Sequence, residues 1–197
     1  MKKTMDDTRP QAPDINRALD VLRAGGLILY PTDTIWGIGC DATNPVAVER
    51  VYQLKGRDQS KSLIVLLEND NKLSSYVNEV PEIAYQLIEY TERPLTIVYS
   101  GAKNLAPNLI AEDGSIGIRI VAHAFCNLLL QRFRKPIVST SANFSGQPAP
   151  KKFAEISPEI IQKVDYTVNF GQDDETKGRA SMVMKLDPGG KFSFLRK

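Results

Sequence analysis

A chain of 197 residues, 42% apolar and 24% charged, has the size and balance of one ordinary globular domain, and no run approaches the ~20 apolar residues that a membrane-spanning helix needs. With two cysteines and one histidine, it is poorly equipped for a disulfide framework, a multi-histidine metal site or a Ser-His-Asp triad. Lys and Arg outnumber Asp and Glu by only 25 to 23, so an anion site must be local and cannot rest on a global basic field.

The opening Met1-Lys2-Lys3-Thr4-Met5-Asp6-Asp7 carries charges with no apolar segment behind them; no secretory signal is expected, and the cytoplasm is the expected compartment. Residues 1–13 are polar, hold Pro10 and Pro13 and lack periodicity, which predicts a flexible leader ahead of a folded unit over 14–197. Ile15, Ala18, Leu19 and Leu22 follow helical spacing, with Asp14 placed to cap the helix and Gly25-Gly26 to stop it. Leu27 to Tyr30 reads as a buried strand ending at Pro31, with Cys40 beyond it expected to be a buried thiol, as is Cys126. Asn44-Pro45 opens a helix that carries Val48, Val51, Tyr52 and Lys55 on one face and ends near Gly56.

Further along, strands are predicted over 62–67, 95–99, 115–121 and 136–140, with helices over 81–90 and 124–133 between them. A helix near 158–164, a strand over 166–170, a polar loop over 171–178 and strands over 181–186 and 192–195 complete the pattern. The late strands are joined by tight turns, so the expected fold is α/β (mixed α+β), a single domain whose large twisted mixed sheet is flanked by helices.

Chemistry-bearing residues gather where strands end. Tyr30-Pro31-Thr32-Asp33-Thr34-Ile35-Trp36-Gly37 follows a buried strand; strand ends in α/β sheets are where ligands bind, although the same residues make an ordinary turn. Lys55, Arg57 and Lys61 cluster at a helix C-terminus, where they either complement the helix dipole or neutralise a polyphosphate. Ser139-Thr140-Ser141-Ala142-Asn143 leaves the 136–140 strand as a hydroxyl-rich segment, suited to hydrogen-bonding a ligand or to capping. With one histidine and no G-x-S-x-G elbow, a serine nucleophile is the weaker reading. Arg119 is a lone cation on an apolar strand and needs a partner, either structural or a ligand carboxylate. His123 reads first as a satisfied histidine at a strand-to-helix junction and only second as a proton-transfer group.

Taken in order, Gly25-Gly26, Tyr30-Pro31-Thr32-Asp33-Thr34, Lys55-Gly56-Arg57, Ser62-Leu63-Ile64-Val65, Gly117-Ile118-Arg119 and Ser139-Thr140-Ser141-Ala142-Asn143-x-Ser145-Gly146 resemble the YrdC-like family of threonylcarbamoyl-AMP synthases. The resemblance runs from about residue 15 to the last residue. It implies a YrdC-like fold with a positively lined cavity and a nucleotidyltransferase, L-threonylcarbamoyladenylate synthase, that serves tRNA processing. Its substrates would be L-threonine, bicarbonate and ATP, with Mg2+ accompanying ATP and no metal site of the protein's own.

The family pattern places ATP contacts on Lys55, Arg57, Lys61, Ser115, Ser141, Asn143 and Arg196. It places threonine contacts on Thr34, Arg119, Ser139 and Ser181 and names no catalytic base. Implied partners are the proteins that transfer the threonylcarbamoyl group, with direct contact to tRNA left open. The chain departs from the family at Ser181-Met182-Val183-Met184-Lys185, where a hydroxyl and an acid of the usual Ser-Thr-[Val/Ile]-Val-Asp are missing, and at Thr91-Glu92-Arg93-Pro94 and Leu66. It resembles the short form, without an extra C-terminal domain. The alternatives are an RNA-binding module of the same fold without catalysis and a paralogue acting on another acceptor.

Overall fold

Strand alternation, sending successive residues to opposite faces of one sheet, decides both where the core lies and where the cavity opens. The computed structural model describes residues 9–58, 62–176 and 178–197. Its helices are α1 (Ala12–Arg23), α2 (Pro45–Lys55), α3 (Leu73–Tyr76), α4 (Glu82–Tyr90), α5 (Ala124–Phe133) and α6 (Pro158–Lys163). The strands are β1 (Ile28–Tyr30), β2 (Gly37–Gly39), β3 (Ile64–Leu67), β4 (Leu95–Tyr99), β5 (Ile116–Ile120), β6 (Ile137–Ser141), β7 (Tyr166–Thr167), β8 (Met182–Leu186) and β9 (Phe192–Arg196). They form one sheet in the order β7-β1-β2-β6-β3-β5-β4-β8-β9. The β1/β7, β3/β5 and β4/β8 pairs are parallel and the others antiparallel, the mixed sheet that the short turns predicted. No described helix is long and apolar enough to cross a membrane.

One face of the sheet is covered along its length. Leu29, Val65, Leu67, Ile97, Tyr99, Ile116, Ile118, Val138, Met184 and Leu186 point into a core completed by Val48, Val51 and Tyr52 of α2 and by Leu73, Ala84 and Ile160. The opposite face is covered only at one end, where α1 and α5 pack on each other and bury Ile28, Tyr30, Leu66, Val121 and Ile137. The same alternation carries Ile64, Gly117, Arg119, Ser139, Ser141, Val183 and Lys185 onto the part of that face that no helix covers. Burying the apolar set is the driving term, at about 25 cal/mol per Å² removed from water.

Helix α2 begins as the sequence suggests. The Asn44 side chain accepts from the N–H groups of Val46 and Ala47 at 3.0 and 3.2 Å, Pro45 takes the first helical position, and Gly56 closes the helix in the left-handed region at φ 56°. Helix α1 differs from expectation. It starts at Ala12 with Gln11 in the capping position, and Asp14 lies inside the first turn. The buried Asp14 carboxylate instead accepts from Tyr166 Oη at 2.6 Å and from the N–H groups of Asn169 and Phe170 at 3.0 and 2.9 Å. Those two N–H groups are thereby withdrawn from strand pairing, and β7 stops at Thr167 where a strand to residue 170 was expected.

Strand β2 was not predicted, because Gly37-Ile38-Gly39 offers a single apolar side chain and no period. Gly39 is required by close approach: a Cβ there would lie 2.5 Å from the Val138 carbonyl oxygen. Gly39→Ala is expected to destabilise the fold by about 1–3 kcal/mol through overpacking against backbone that cannot yield; a denaturant titration reads the value directly.

Candidate active site

The uncovered sheet face floors a cavity of about 1150 Å³. Thr34 and Trp36 from the β1–β2 connection stand on one side of it, Arg57 and Ser115 on another, and Ser181 and Arg196 at the β8–β9 edge, with Arg119, Ser139 and Ser141 rising from the floor. Residues expected to contact nucleotide or threonine, scattered over the chain from 34 to 196, are thus brought to one space by the topology.

Arg119 is deeply placed, its side chain 4% exposed, and Nη2 lies 3.1 Å from Oδ1 of Asp33, itself 7% exposed. Its structural partner is therefore Asp33, and Arg119 is not the lone cation its strand suggests. Asp33 Oδ2 in turn accepts from the Ala122 N–H at 3.3 Å. At the other end Arg196 donates through Nε to the Ser181 carbonyl at 3.0 Å and through Nη2 to Ser181 Oγ at 3.3 Å. Ser181 Oγ also shares a 2.8 Å hydrogen bond with Thr96 Oγ1. Burial, and then the positive charge of Arg119, lower the Arg196 pKa from its usual value. Two guanidinium groups thus face one cavity, an arrangement that an incoming anion relieves.

Thr34 is buried against Thr32, the two hydroxyls 2.9 Å apart, while Thr32 Oγ1 donates to the Ile35 carbonyl at 2.7 Å. This hydroxyl pair shapes the turn and places Trp36, whose ring lies 4.8 Å from that of Phe153, against the cavity. Arg57 Nη2 donates to the Ser62 carbonyl at 3.0 Å, and burial lowers its pKa. Lys185, standing where the resembling family has an acid, reaches Asp113 Oδ2 at 3.1 Å on the cavity wall. Hydrogen bonds from Ser115 and then from Lys185 hold the Asp113 carboxyl below its usual range.

Two of the expected nucleotide ligands lie outside this lining. Lys55 is 1% exposed, and its ammonium donates to the carbonyls of Ser141 and Asn143 at 2.5 and 2.6 Å. The Lys55 carbonyl accepts from the Ser145 N–H at 2.8 Å, so a single residue pins the 141–145 loop from both its ends. Burial, and then the nearby Arg57, hold the Lys55 pKa down at about 7. Asn143 turns its Nδ2 onto the carbonyls of Phe144 and Gln147 at 3.0 and 2.7 Å, closing its own turn. Lys61 lies outside the described residues. His123 borders a neighbouring cavity of about 710 Å³ and not the larger one; burial lowers its pKa.

Asp33 and Trp36 belong to a motif that was legible, but pairing across 86 positions and a ring packed into a wall leave no local signal. The Lys55 contacts were hidden for a different reason, since a basic residue ending a helix has the same pattern whether it faces solvent or turns inward.

The family model Sua5_yciO_yrdC, described as "Telomere recombination", matches residues 20–197. The chain belongs to this family. It is 35% identical over 158 residues to the threonylcarbamoyl-AMP synthase of Pseudoalteromonas translucida, covering 79% of this chain and 84% of that one. It is 34% identical over 187 residues to the threonylcarbamoyl-AMP synthase of Homo sapiens, covering 92% of this chain and 66% of that one. Among solved family structures, that of P. abyssi Sua5 complexed with L-threonine superimposes with a TM-score of 0.79 at 26% identity, covering 91% of this chain. The present chain spans about half of that protein, 53% of its length.

Proposed function

We infer that this chain is an L-threonylcarbamoyladenylate synthase, joining the amine of L-threonine to bicarbonate with loss of water to give a carbamate whose oxygen attacks the α-phosphate of ATP and expels pyrophosphate. The observation that carries the reading is the gathering of Arg119, Arg196 and Arg57 with the Thr34, Ser139, Ser141 and Ser181 hydroxyls around one cavity. The names of its relatives and the threonine bound to P. abyssi Sua5 support it. Nucleotidyl transfer of this kind asks the protein mainly to position reactants and to stabilise charge on the phosphates. Guanidinium groups and hydroxyls supply both.

In this reading Arg119 receives the threonine carboxylate, and Thr34, Ser139 and Ser181 surround the rest of the amino acid. Arg57, Ser115, Ser141 and Arg196 face the nucleotide, joined by Lys61. Lys55 and Asn143 serve the nucleotide by shaping the 141–145 loop, since the Lys55 ammonium and the Asn143 Nδ2 are turned onto backbone carbonyls. The cavity acids Asp58, Glu112 and Asp113 form no metal-holding cluster among the described residues. Magnesium accompanying ATP would be carried on the nucleotide's phosphate oxygens and water. The product would pass, in the cytoplasm, to proteins that transfer the threonylcarbamoyl group to tRNA.

Pyrophosphate release is expected only when ATP, bicarbonate and L-threonine are all present. Release that ignores threonine or bicarbonate, or no release at all, would overturn this reading.

A further inference from the structure

The cations of the cavity are not neutralised alike. Arg196 is held by the carbonyl and hydroxyl of Ser181, both uncharged. Lys185 has a carboxylate partner, Asp113, but the pair is half exposed and screened by solvent. Arg119 alone of these three meets its counter-charge in a buried pair, and the Asp33 carboxylate reaches it from outside the cavity: Asp33 borders the neighbouring space, while Arg119 borders the larger one. The guanidinium borders the cavity while only its Nη2 is drawn to Asp33 in an ion pair, so donors of its fork remain for a ligand.

We propose that Asp33 is a specificity-determining positioning residue. Its buried carboxylate offsets part of the Arg119 charge from behind, so that this end of the cavity favours the single negative charge of an amino-acid carboxylate over a polyphosphate. The proposal rests on the function inferred above and adds how one cavity sorts its two anionic substrates. Arg119 keeps the planar fork that binds a carboxylate, but a group with several negative charges meets Asp33 through a low-dielectric gap and is repelled. The polyphosphate is left with the Arg196 end, where the guanidinium is held by the uncharged carbonyl and hydroxyl of Ser181. Discrimination of this kind comes from a built-in repulsion as much as from attraction.

The test uses the full chain and calorimetric titration with L-threonine and, separately, with inorganic pyrophosphate. Asp33→Asn is expected to bind pyrophosphate about tenfold more tightly than the native protein, while threonine, a zwitterion whose two charges respond oppositely, changes by less than about threefold. A gain in affinity is a readout that damage to the fold does not produce. Should Asp33→Asn fail to fold, Asp33→Ser removes the same charge with a smaller polar side chain and is expected to give the same roughly tenfold gain for pyrophosphate. Pyrophosphate affinity unchanged in whichever variant is measured overturns the proposal. A native protein that binds no threonine overturns the inferred function instead, so the two failures are distinguishable.

Discussion

Lys55→Met is expected to unfold at a markedly lower temperature than the native chain and to lose most pyrophosphate-forming activity, even though the side chain removed borders no part of the cavity. The loss leaves the carbonyls of Ser141 and Asn143 without the ammonium that binds them. A buried acceptor stripped of its donor costs about 1–3 kcal/mol, offset in part because a charge is no longer buried. The loop that presents Ser141 keeps its backbone bonds, Ser145 N–H to the Lys55 carbonyl and Ala142 N–H to the Trp36 carbonyl, but loses the side chain that ties residues 141 and 143 together. The variant should also change the pH dependence of stability. In the unfolded chain Lys55 keeps its proton to its ordinary value of 10.5, whereas in the folded chain it releases it near 7. Unfolding between those values therefore takes up a proton, and native stability rises with pH across that window and falls as pH drops through about 7. Calorimetric melts at several pH values should show this slope in the native chain and a flatter one in Lys55→Met.

Arg119→Ala should damage stability and binding together. It leaves the Asp33 carboxylate buried without its counter-charge, and removing one member of a buried pair costs about 3–5 kcal/mol. It also removes the group inferred to receive the threonine carboxylate. Arg119→Lys separates these effects: a lysine keeps the charge beside Asp33 and restores part of the stability, but it lacks the planar fork, so the threonine KM should remain high. If Arg119→Lys restores both the melting temperature and the threonine KM, Arg119 acts only as a charge. If Arg119→Ala keeps the native threonine KM, it does not touch the substrate.

Much of the fold was legible in the sequence because apolar periodicity and end signals agree there. The 64–67 and 116–120 strands are apolar runs or alternations, and Asn44-Pro45 with Gly56 brackets a helix from both ends. Legibility failed where a residue serves a distant part of the chain. Asp14 reads as a cap for its own helix yet is bonded to residues 166–170, and Lys55 reads as a cation at a helix end yet lies under a loop more than eighty residues away. The candidate site follows the same rule. Thr34, Ser139 and Ser141 stood out at strand ends, Arg57 at a helix end and Arg119 as a cation on an apolar strand, while Ser115, Ser181 and Arg196 came only with the family resemblance; the Asp33–Arg119 pairing requires β1 and β5 to be placed in space before it can be seen.

The split use of β5, in which Ile116 and Ile118 enter the core while Gly117 and Arg119 face the cavity, makes folding error and loss of activity the same event. A strand shifted by one residue exchanges every side chain between its two faces. An off-by-one pairing of β5 with β3 would drive a guanidinium into hydrocarbon and plant an isoleucine where Arg119 is inferred to receive a carboxylate. Such a molecule would be short-lived as well as inert, so the arrangement that does the chemistry also proofreads its own assembly and gives a mispaired chain no stable form in which to persist.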